Sequence, residues 1–341
     1  MKSTRVCYLA ASFAIGLLLI GGCARQTRKT QQVPTAPAQP AQEEPAVDLV
    51  LKFTPGNSTT YRVARESDRG VEWEGSAETK PKGFTGGHTG NRMEMTFTQR
   101  INSVDNKGTA AAKITITALK YLIRVKNKVT LDFDSSRQQD VNSPLSELIG
   151  QSYTVELTPN GGVAKVIDAS EARAAVKGAT TADKIAANLL TNDAIKNRHT
   201  ISALPGADDE PVHVGQTWSK VENFAFDLMG AKSYEKRYTL EEVRDVRDHR
   251  IAVVKMNAVP SAAKAKELYK EQGTSPFAQM FDSTETLTGE LTMDLTAGKV
   301  NECHEQLLIE WFIVDTNAKS NVRPGALRMS AARLAGIERV D

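Results

Sequence analysis

The sequence predicts an α+β fold: antiparallel, curved β-sheets with a few inserted helices, arranged as two similar halves. Three observations carry this expectation. First, apolar residues beyond Val47 mostly recur at every second position. Met93, Met95, Phe97 and Ile101 alternate with Glu94, Thr96, Thr98 and Arg100. Leu287, Leu291, Met293 and Leu295 alternate with Thr288, Glu290, Thr292 and Asp294. That period belongs to strands with one buried and one wet face. Second, turn chemistry separates the runs, as in Asp105-Asn106-Lys107-Gly108, Pro159-Asn160-Gly161-Gly162 and Ala297-Gly298, where hairpins need positive φ. Third, two stretches switch to helical spacing, and helices inserted among antiparallel strands define the class.

Taken in order, further strands are expected over 60–64, 111–125, 128–134, 152–157, 163–167, 233–246, 251–259 and 299–314. Asp168-Ala169-Ser170-Glu171 reads as a capping box that opens a helix through Ala172, Ala175, Val176 and Ala179. After a break near Gly178 the helical spacing resumes with Ile185, Ala186, Leu189 and Leu190. A second helical stretch covers 262–280, with Leu268, Tyr269, Phe277 and Met280 as its apolar residues. Short helices are expected over 145–149 and 327–334. The polar segments 70–90 and 204–212 read as long mobile loops.

The strands fall into two matched sets. Pro55-Gly56 leading to Tyr61 parallels Val214-Gly215-Gln216-Thr217-Trp218. The turn Val104-Asp105-Asn106-Lys107 before Ala110-Ala111-Ala112-Lys113 parallels Val246-Arg247-Asp248-His249 before Ala252-Val253-Val254-Lys255. The hairpin through Pro159-Asn160-Gly161-Gly162 parallels the one through Ala297-Gly298-Lys299. Order is kept, which points to an internal duplication with halves 47–200 and 210–315. Repeated turn chemistry in any antiparallel protein is the alternative.

Residues 1–22 have the form of a secretory leader. Lys2 and Arg5 precede an apolar run from Tyr8 to Ile20, closed by Gly21-Gly22-Cys23. The run is too short to span a hydrocarbon layer of roughly 30 Å. An aliphatic residue, two small residues and Cys resemble the bacterial lipobox. That resemblance implies that Cys23 carries palmitate or similar acyl chains and becomes the mature N-terminus. Residues 23–46 are rich in Ala, Gln, Pro and Thr, and Pro34, Pro37, Pro40 and Pro45 exclude a regular helix there. They read as a disordered tether with an end-to-end distance of roughly 25–30 Å. Residues 47–341 form the β-rich α+β body.

The chain has 3 Cys. Cys7 lies in the leader and Cys23 in the lipobox, so Cys303 stands alone and no disulfide framework is expected. The formal net charge is +2. Loss of Lys2 and Arg5 with the leader leaves the mature chain near neutral, which argues against nucleic acid as a partner.

The lipobox, the Pro/Ala/Gln tether, the opening Pro55-Gly56 strand, the hairpin from Tyr153 to Val163 and Val214-Gly215-Gln216-Thr217-Trp218 together resemble a family of uncharacterised bacterial lipoproteins, a domain of unknown function found in planctomycete-type genomes. The resemblance implies an envelope location and a β-rich fold, and implies nothing about chemistry. In architecture the chain is also similar to periplasmic lipid-carrier lipoproteins, although fold does not imply function.

Catalytic patterns are scarce. The 5 His are His88, His199, His213, His249 and His304, and none belongs to a His-Glu-x-x-His helix. The sequence contains neither a Gly-x-Ser-x-Gly elbow nor a phosphate-cradling Gly-x-x-x-x-Gly-Lys-Ser/Thr loop. Gly86-Gly87-His88-Thr89-Gly90 reads as a flexible loop. Cys303 and His304, neighbours on an expected strand, should point to opposite faces. Cys303 reads as a buried, inert thiol. Asp208-Asp209-Glu210 could gather calcium ligands but reads better as a solvated loop. Trp218 and Trp311 read as core, with a ligand-lining role as the alternative. Trp73, in the polar run Val71-Glu72-Trp73-Glu74, reads as an exposed indole and a candidate partner contact.

These readings converge on a non-enzymatic, membrane-anchored lipoprotein of the bacterial cell envelope, on its periplasmic or extracellular face. It would need no cofactor or metal and would meet the membrane through its acyl chains. It would bind or carry an apolar ligand, such as a lipid, between the concave sheet face and the helices around Leu189 and Leu268. The alternative is a structural or assembly lipoprotein that docks to an envelope protein through Trp73 and residues 204–212 without a small ligand.

Overall fold

A computed structural model describes residues 46–206, 210–261, 280–314 and 324–340. The expected leader, Cys23 and nearly all of the tether lie outside the described residues. So do Asp208, Asp209 and all but the last residue of the helix expected over 262–280.

Twelve strands follow one another: β1 (Ser58–Glu74), β2 (Gly87–Val104), β3 (Ala110–Val125), β4 (Lys128–Asp134), β5 (Ser152–Leu157), β6 (Val163–Asp168), β7 (Thr217–Ala225), β8 (Ala231–Val246), β9 (His249–Pro260), β10 (Asp282–Asp294), β11 (Lys299–Val314) and β12 (Ala326–Arg339). Three short helices stand between β6 and β7: α1 (Ser170–Ala175), α2 (Thr181–Leu189) and α3 (Asn192–His199). All strands join one antiparallel sheet in the order β6-β5-β3-β2-β1-β12-β11-β10-β9-β8-β7, with β4 paired to β3 off this path.

This architecture corrects the expected α+β class. The molecule is mostly a single antiparallel sheet, and β12 is the reason. It lies between β1 and β11 and pairs with both along nearly its whole length. The Ala-rich segment 327–334, expected as a helix, is part of this central strand. Its intrinsic preference is overridden because two neighbours satisfy its backbone groups on both sides. The same pairing turns the expected loop over 70–90 largely into strand. β1 runs to Glu74 because Glu74 faces Ala326 and Val71 faces Gly87. Gly87, His88, Thr89 and Gly90 open β2 instead of forming a flexible loop. A Cβ on Gly90 would lie 2.1 Å from the Ser67 carbonyl oxygen, so only glycine permits that approach.

The first helix also starts later than expected. Asp168 ends β6 and its carboxylate accepts the Ser170 N–H at 2.9 Å. The capping box belongs to α2, where Thr180 and Asp183 cap each other. The short helix expected near 145–149 is a 3-10 turn over Pro144–Leu148.

Strand order is the same in the two sets, β1-β2-β3-β5-β6 and β7-β8-β9-β10-β11. A duplication and a plain meander, in which neighbours in sequence pair, both give this order.

Register places one continuous inner face across the sheet. Val63, Met95, Phe97, Ile114 and Leu119 are fully buried on it at one end, each contributing about 1.5–3 kcal/mol. Leu145, Ala172, Ala186, Leu190 and Ile195 cover that end from outside the sheet. At the other end Tyr238, Leu240, Val254, Leu291 and Ile309 form a second core. There the sheet curls back on itself, because Arg333 on β12 donates through Nη2 to the Ala225 carbonyl on β7 at 2.7 Å.

Candidate functional site

Between the two cores the inner face changes character. Along β1, Tyr61 and Val63 are buried, and the next inward positions are Arg65 and Ser67. One register row runs Arg65, Ala335, Glu305, Gly289, Met256, Tyr238 and Trp218 across seven strands. Small Ala335 leaves room that its apolar neighbours fill elsewhere. A cavity of about 630 Å³ opens here, floored by β1 and β10 to β12, walled by β7 and roofed by the end of α3 and residues 200–202. A second space of about 70 Å³ under the hairpin tips has room for a few waters at most.

The roof is fixed to its surroundings. Arg65 Nη2 donates to the Asn197 carbonyl at 2.8 Å. Lys220 on β7 donates to the Ser202 and Leu204 carbonyls at 2.9 and 2.6 Å, and Trp218 Nε1 donates to the Ala203 carbonyl at 3.2 Å.

A buried charge cluster forms one wall. Lys236, with 1% exposure, bridges Glu222 and Glu305, its Nζ 2.6 Å from Glu305 Oε2. Glu305 Oε1 also accepts from Ser202 Oγ at 3.0 Å and from the Tyr238 hydroxyl at 3.4 Å. Burial alone would lower the lysine pKa, but Glu305 and then Glu222 outweigh it and hold the ammonium above its ordinary value. Gly289 lets Glu305 lie close over the sheet, since a Cβ there would sit 3.1 Å from Glu305 Cγ.

Under the roof runs a second network. Arg198 Nη1 donates to the Tyr153 hydroxyl at 2.9 Å and Nη2 to the Leu189 carbonyl at 2.6 Å. The Tyr153 oxygen accepts from arginine, so its own proton is directed at His199 Nε2, 2.7 Å away. His199 is therefore a neutral acceptor. Burial, then Arg198 and Arg65, push its pKa well below the ordinary histidine value. Arg198 is 3% exposed and its Nε has no hydrogen-bond partner among the described residues. Arg333 lies over the rings of Phe224 and Phe226, at 5.3 and 5.2 Å from their centroids.

The residues singled out from sequence divide as follows. Cys303 is buried and lines the cavity wall. Burial pushes its thiol up to about 12, so it carries little thiolate at neutral pH. His304 is exposed on the opposite face, 3.6 Å from Glu302. Trp218 stacks on Tyr238 and Trp311 is buried against Phe226, so both are core. Trp73 departs from expectation. It sits on β1 opposite Leu327, half-buried against Phe84, its Nε1 enclosed without a partner among the described residues. The strand continues through this polar run and turns the indole against the 75–86 connection rather than outward.

Arg65, Arg198, Lys236, Glu305 and Arg333 were missed by sequence reasoning. A signal did exist for four of them. Each is a charge at a position where period two calls for an apolar residue: Arg65 after Tyr61 and Val63, Lys236 between Tyr234 and Tyr238, Glu305 between Cys303 and Leu307, and Arg333 before Ala335 and Ile337.

A family model described as a family of unknown function (DUF6263) matches residues 107–300. The chain belongs to this family. The DUF6263 span contains Arg198, Glu222 and Lys236, while Arg65, Glu305 and Arg333 lie outside it. No curated protein matches the chain. Among solved structures it is similar to a chain of lipovitellin solved for its lipid–protein interactions. Sequence identity there is 12% and the TM-score 0.41, over 85% of this chain and 26% of that one. It is also similar to DynF from the dynemicin biosynthesis pathway of Micromonospora chersina, at 7% identity and a TM-score of 0.19, over 91% and 94% of the two chains. The chain thus spans about a quarter of the lipovitellin chain, and at these values neither likeness carries a functional argument.

Proposed function

We propose that this protein is a non-enzymatic binding protein of the bacterial cell envelope, anchored by acyl chains on Cys23, that takes a ligand with an apolar part into the cavity beneath α3. The carrying observation is the cavity itself. At about 630 Å³ it lies within the range of roughly 300–1,000 Å³ usual for small-molecule sites. Phe224, Leu287, Leu307 and Ile337 give it apolar walls. The non-enzymatic reading is supported by the state of its reactive groups: the Cys303 thiol is held protonated and Glu305 is engaged by Lys236, Ser202 and Tyr238. The alternative, docking to an envelope protein through Trp73 and residues 204–212, has a half-buried indole packed on Phe84 as its contact.

Native mass spectrometry of protein extracted in mild detergent should show a co-purifying molecule of lipid-like mass. Ala335→Trp places an indole in the cavity and should abolish that adduct while the protein stays folded. An adduct of the same mass and occupancy on the variant would refute the cavity as the binding site.

The anchor rests on Ile20-Gly21-Gly22-Cys23. Two acyl chains give stable membrane binding where one is marginal. Cys23→Ser should move the protein from the detergent phase to the aqueous phase on phase separation. Unchanged partitioning would overturn the lipobox reading.

A further inference from the structure

We infer that the ligand is an anionic amphiphile, an oxyanion head on an apolar tail, and that Arg65 and Arg333 receive the head, with Arg198 adding positive charge behind them. The inference rests on the cavity being the binding site and goes further by naming the ligand's chemistry. Arg65, Arg198 and Arg333 all line one cavity. None of them forms a salt bridge among the described residues, and unlike the exposed arginines that also lack one, such as Arg92 and Arg100, all three are at least partly buried.

The contacts they do make leave donors over. Arg65 spends Nη2 on the Asn197 carbonyl, and Arg333 spends Nη2 on the Ala225 carbonyl. Arg198 spends both terminal nitrogens, but its enclosed Nε has no partner among the described residues. A guanidinium has five N–H donors, so Arg65 and Arg333 have capacity for an incoming oxyanion, while Arg198 is enclosed behind them.

The spacing suits one head group. Arg65 faces Ala335 on β12, and Arg333 is two residues from Ala335 on the same face. Diagonal neighbours of this kind lie about 7–8 Å apart at Cα, within common reach of long side chains. Each of the two arginines also lies near another cation, Arg65 near Arg198 and Arg333 near Arg69, and an anion between Arg65 and Arg333 would offset that repulsion.

Glu305 and Glu222 act on Arg65 from a distance, and Glu222 on Arg333, but neither carboxylate is bonded to these arginines. Glu222 and Glu305 are both bonded to Lys236. Glu66, also at the cavity rim, alternates to the opposite face of β1. Arg65, Arg198 and Arg333 thus line the cavity beside two carboxylates, Glu222 and Glu305, that Lys236 already engages. Desolvation lowers the pKa of both Arg65 and Arg333. A guanidinium nevertheless stays charged, and a weakly hydrated site strengthens its pull on an anion. The tail has its place too, since Arg333 is held over Phe224 and Phe226, at the border between the charged and apolar walls.

The test is calorimetric titration of the full body, residues 47–341, with dodecanoate, dodecyl phosphate and dodecanol, and with acetate and inorganic phosphate as heads without a tail. Dodecanoate and dodecyl phosphate should bind at least tenfold tighter than dodecanol and than either tail-less anion. Arg65→Gln and Arg333→Gln should each weaken the two anionic amphiphiles about tenfold and leave dodecanol within twofold, with Arg65→Lys intermediate. Equal affinity for dodecanol and dodecanoate overturns the head-group assignment. Tail-less anions binding as tightly overturn the amphiphile. If dodecanol binds, without head-group preference, and Ala335→Trp blocks it, the cavity stands and this inference falls. If nothing binds, both fall. Should an arginine variant not fold, the ligand comparison on the wild-type body decides alone.

Discussion

Replacing Lys236 by methionine is expected to destabilise the protein by about 3–5 kcal/mol, the usual cost of leaving a buried charge without its partner. The lysine is 1% exposed and touches two carboxylates. Its removal leaves Glu305, whose side chain is 18% exposed, facing Glu222 with no cation between them. Ser202 and Tyr238 still donate to Glu305, but hydroxyls do not neutralise it. The sign with pH follows from the raised lysine pKa. A raised folded value gives stability that is fully present below the unfolded value of about 10.4 and is lost as pH rises through the folded one. At pH 7 the full effect should appear in urea unfolding. Adding Glu305→Gln to Lys236→Met should recover part of the loss, since it removes the orphaned charge, and the double-mutant cycle measures the coupling. A Lys236→Met loss below about 1 kcal/mol would show that the cluster behaves as an exposed surface pair.

The strands on which this cluster sits were legible in the sequence wherever a strand's two faces differ. β4, β5 and β11 fall on their expected bounds, and β3, β8 and β9 within two residues of theirs, because alternation and turn residues act locally. β12 was not legible. Its Ala-rich sequence lacks a sharp alternation, and its identity depends on pairing with β1 and β11, more than 200 and about 20 residues away. β7 was missed for a related reason: as an edge strand its burial alternates weakly, with only Phe224 fully covered. The candidate site carries none of the short catalytic motifs by which a sequence displays an active site. Cys303 was read as structural, and a wall position with a raised thiol pKa fits that reading, yet the same wall carries Glu305. The informative sign was a charge in register with buried apolar neighbours, which becomes meaningful only when β1, β8, β11 and β12 bring four such charges to one place.

Stability should fall as pH drops below about 6.5, by up to ~1.4 kcal/mol per unit, and His199 should be the cause. The histidine lies in the first core, edge-on to Phe97 at 4.7 Å between centroids and bonded to the Tyr153 hydroxyl. Protonation would add a charge beside Arg198 and Arg65 and remove the lone pair that accepts the tyrosine proton. Burial first, then Arg198 and Arg65, depress the folded pKa. A depressed histidine favours the native state only while neutral. Its contribution is fully present above the unfolded value of about 6.5 and is lost as pH falls toward the folded one, because the unfolded chain takes a proton that the native state refuses. His88 acts in the opposite sense. Its hydrogen bond to Asp68 raises its pKa, so its contribution is present at low pH and fades as pH rises through the folded value. Its side chain is 39% exposed, and solvent screening keeps that term small. Carboxylate titrations are common to wild type and variant and cancel in their difference. His199→Gln keeps an acceptor for Tyr153 and removes the titration. Measured by urea unfolding from pH 7.5 to 5, the wild-type curve should slope downward below 6.5 and the variant's should be nearly flat there, whatever its absolute stability. Parallel curves would mean that His199 takes up its proton in the folded protein, and that the Arg198–Tyr153–His199 chain can reverse its donors without strain.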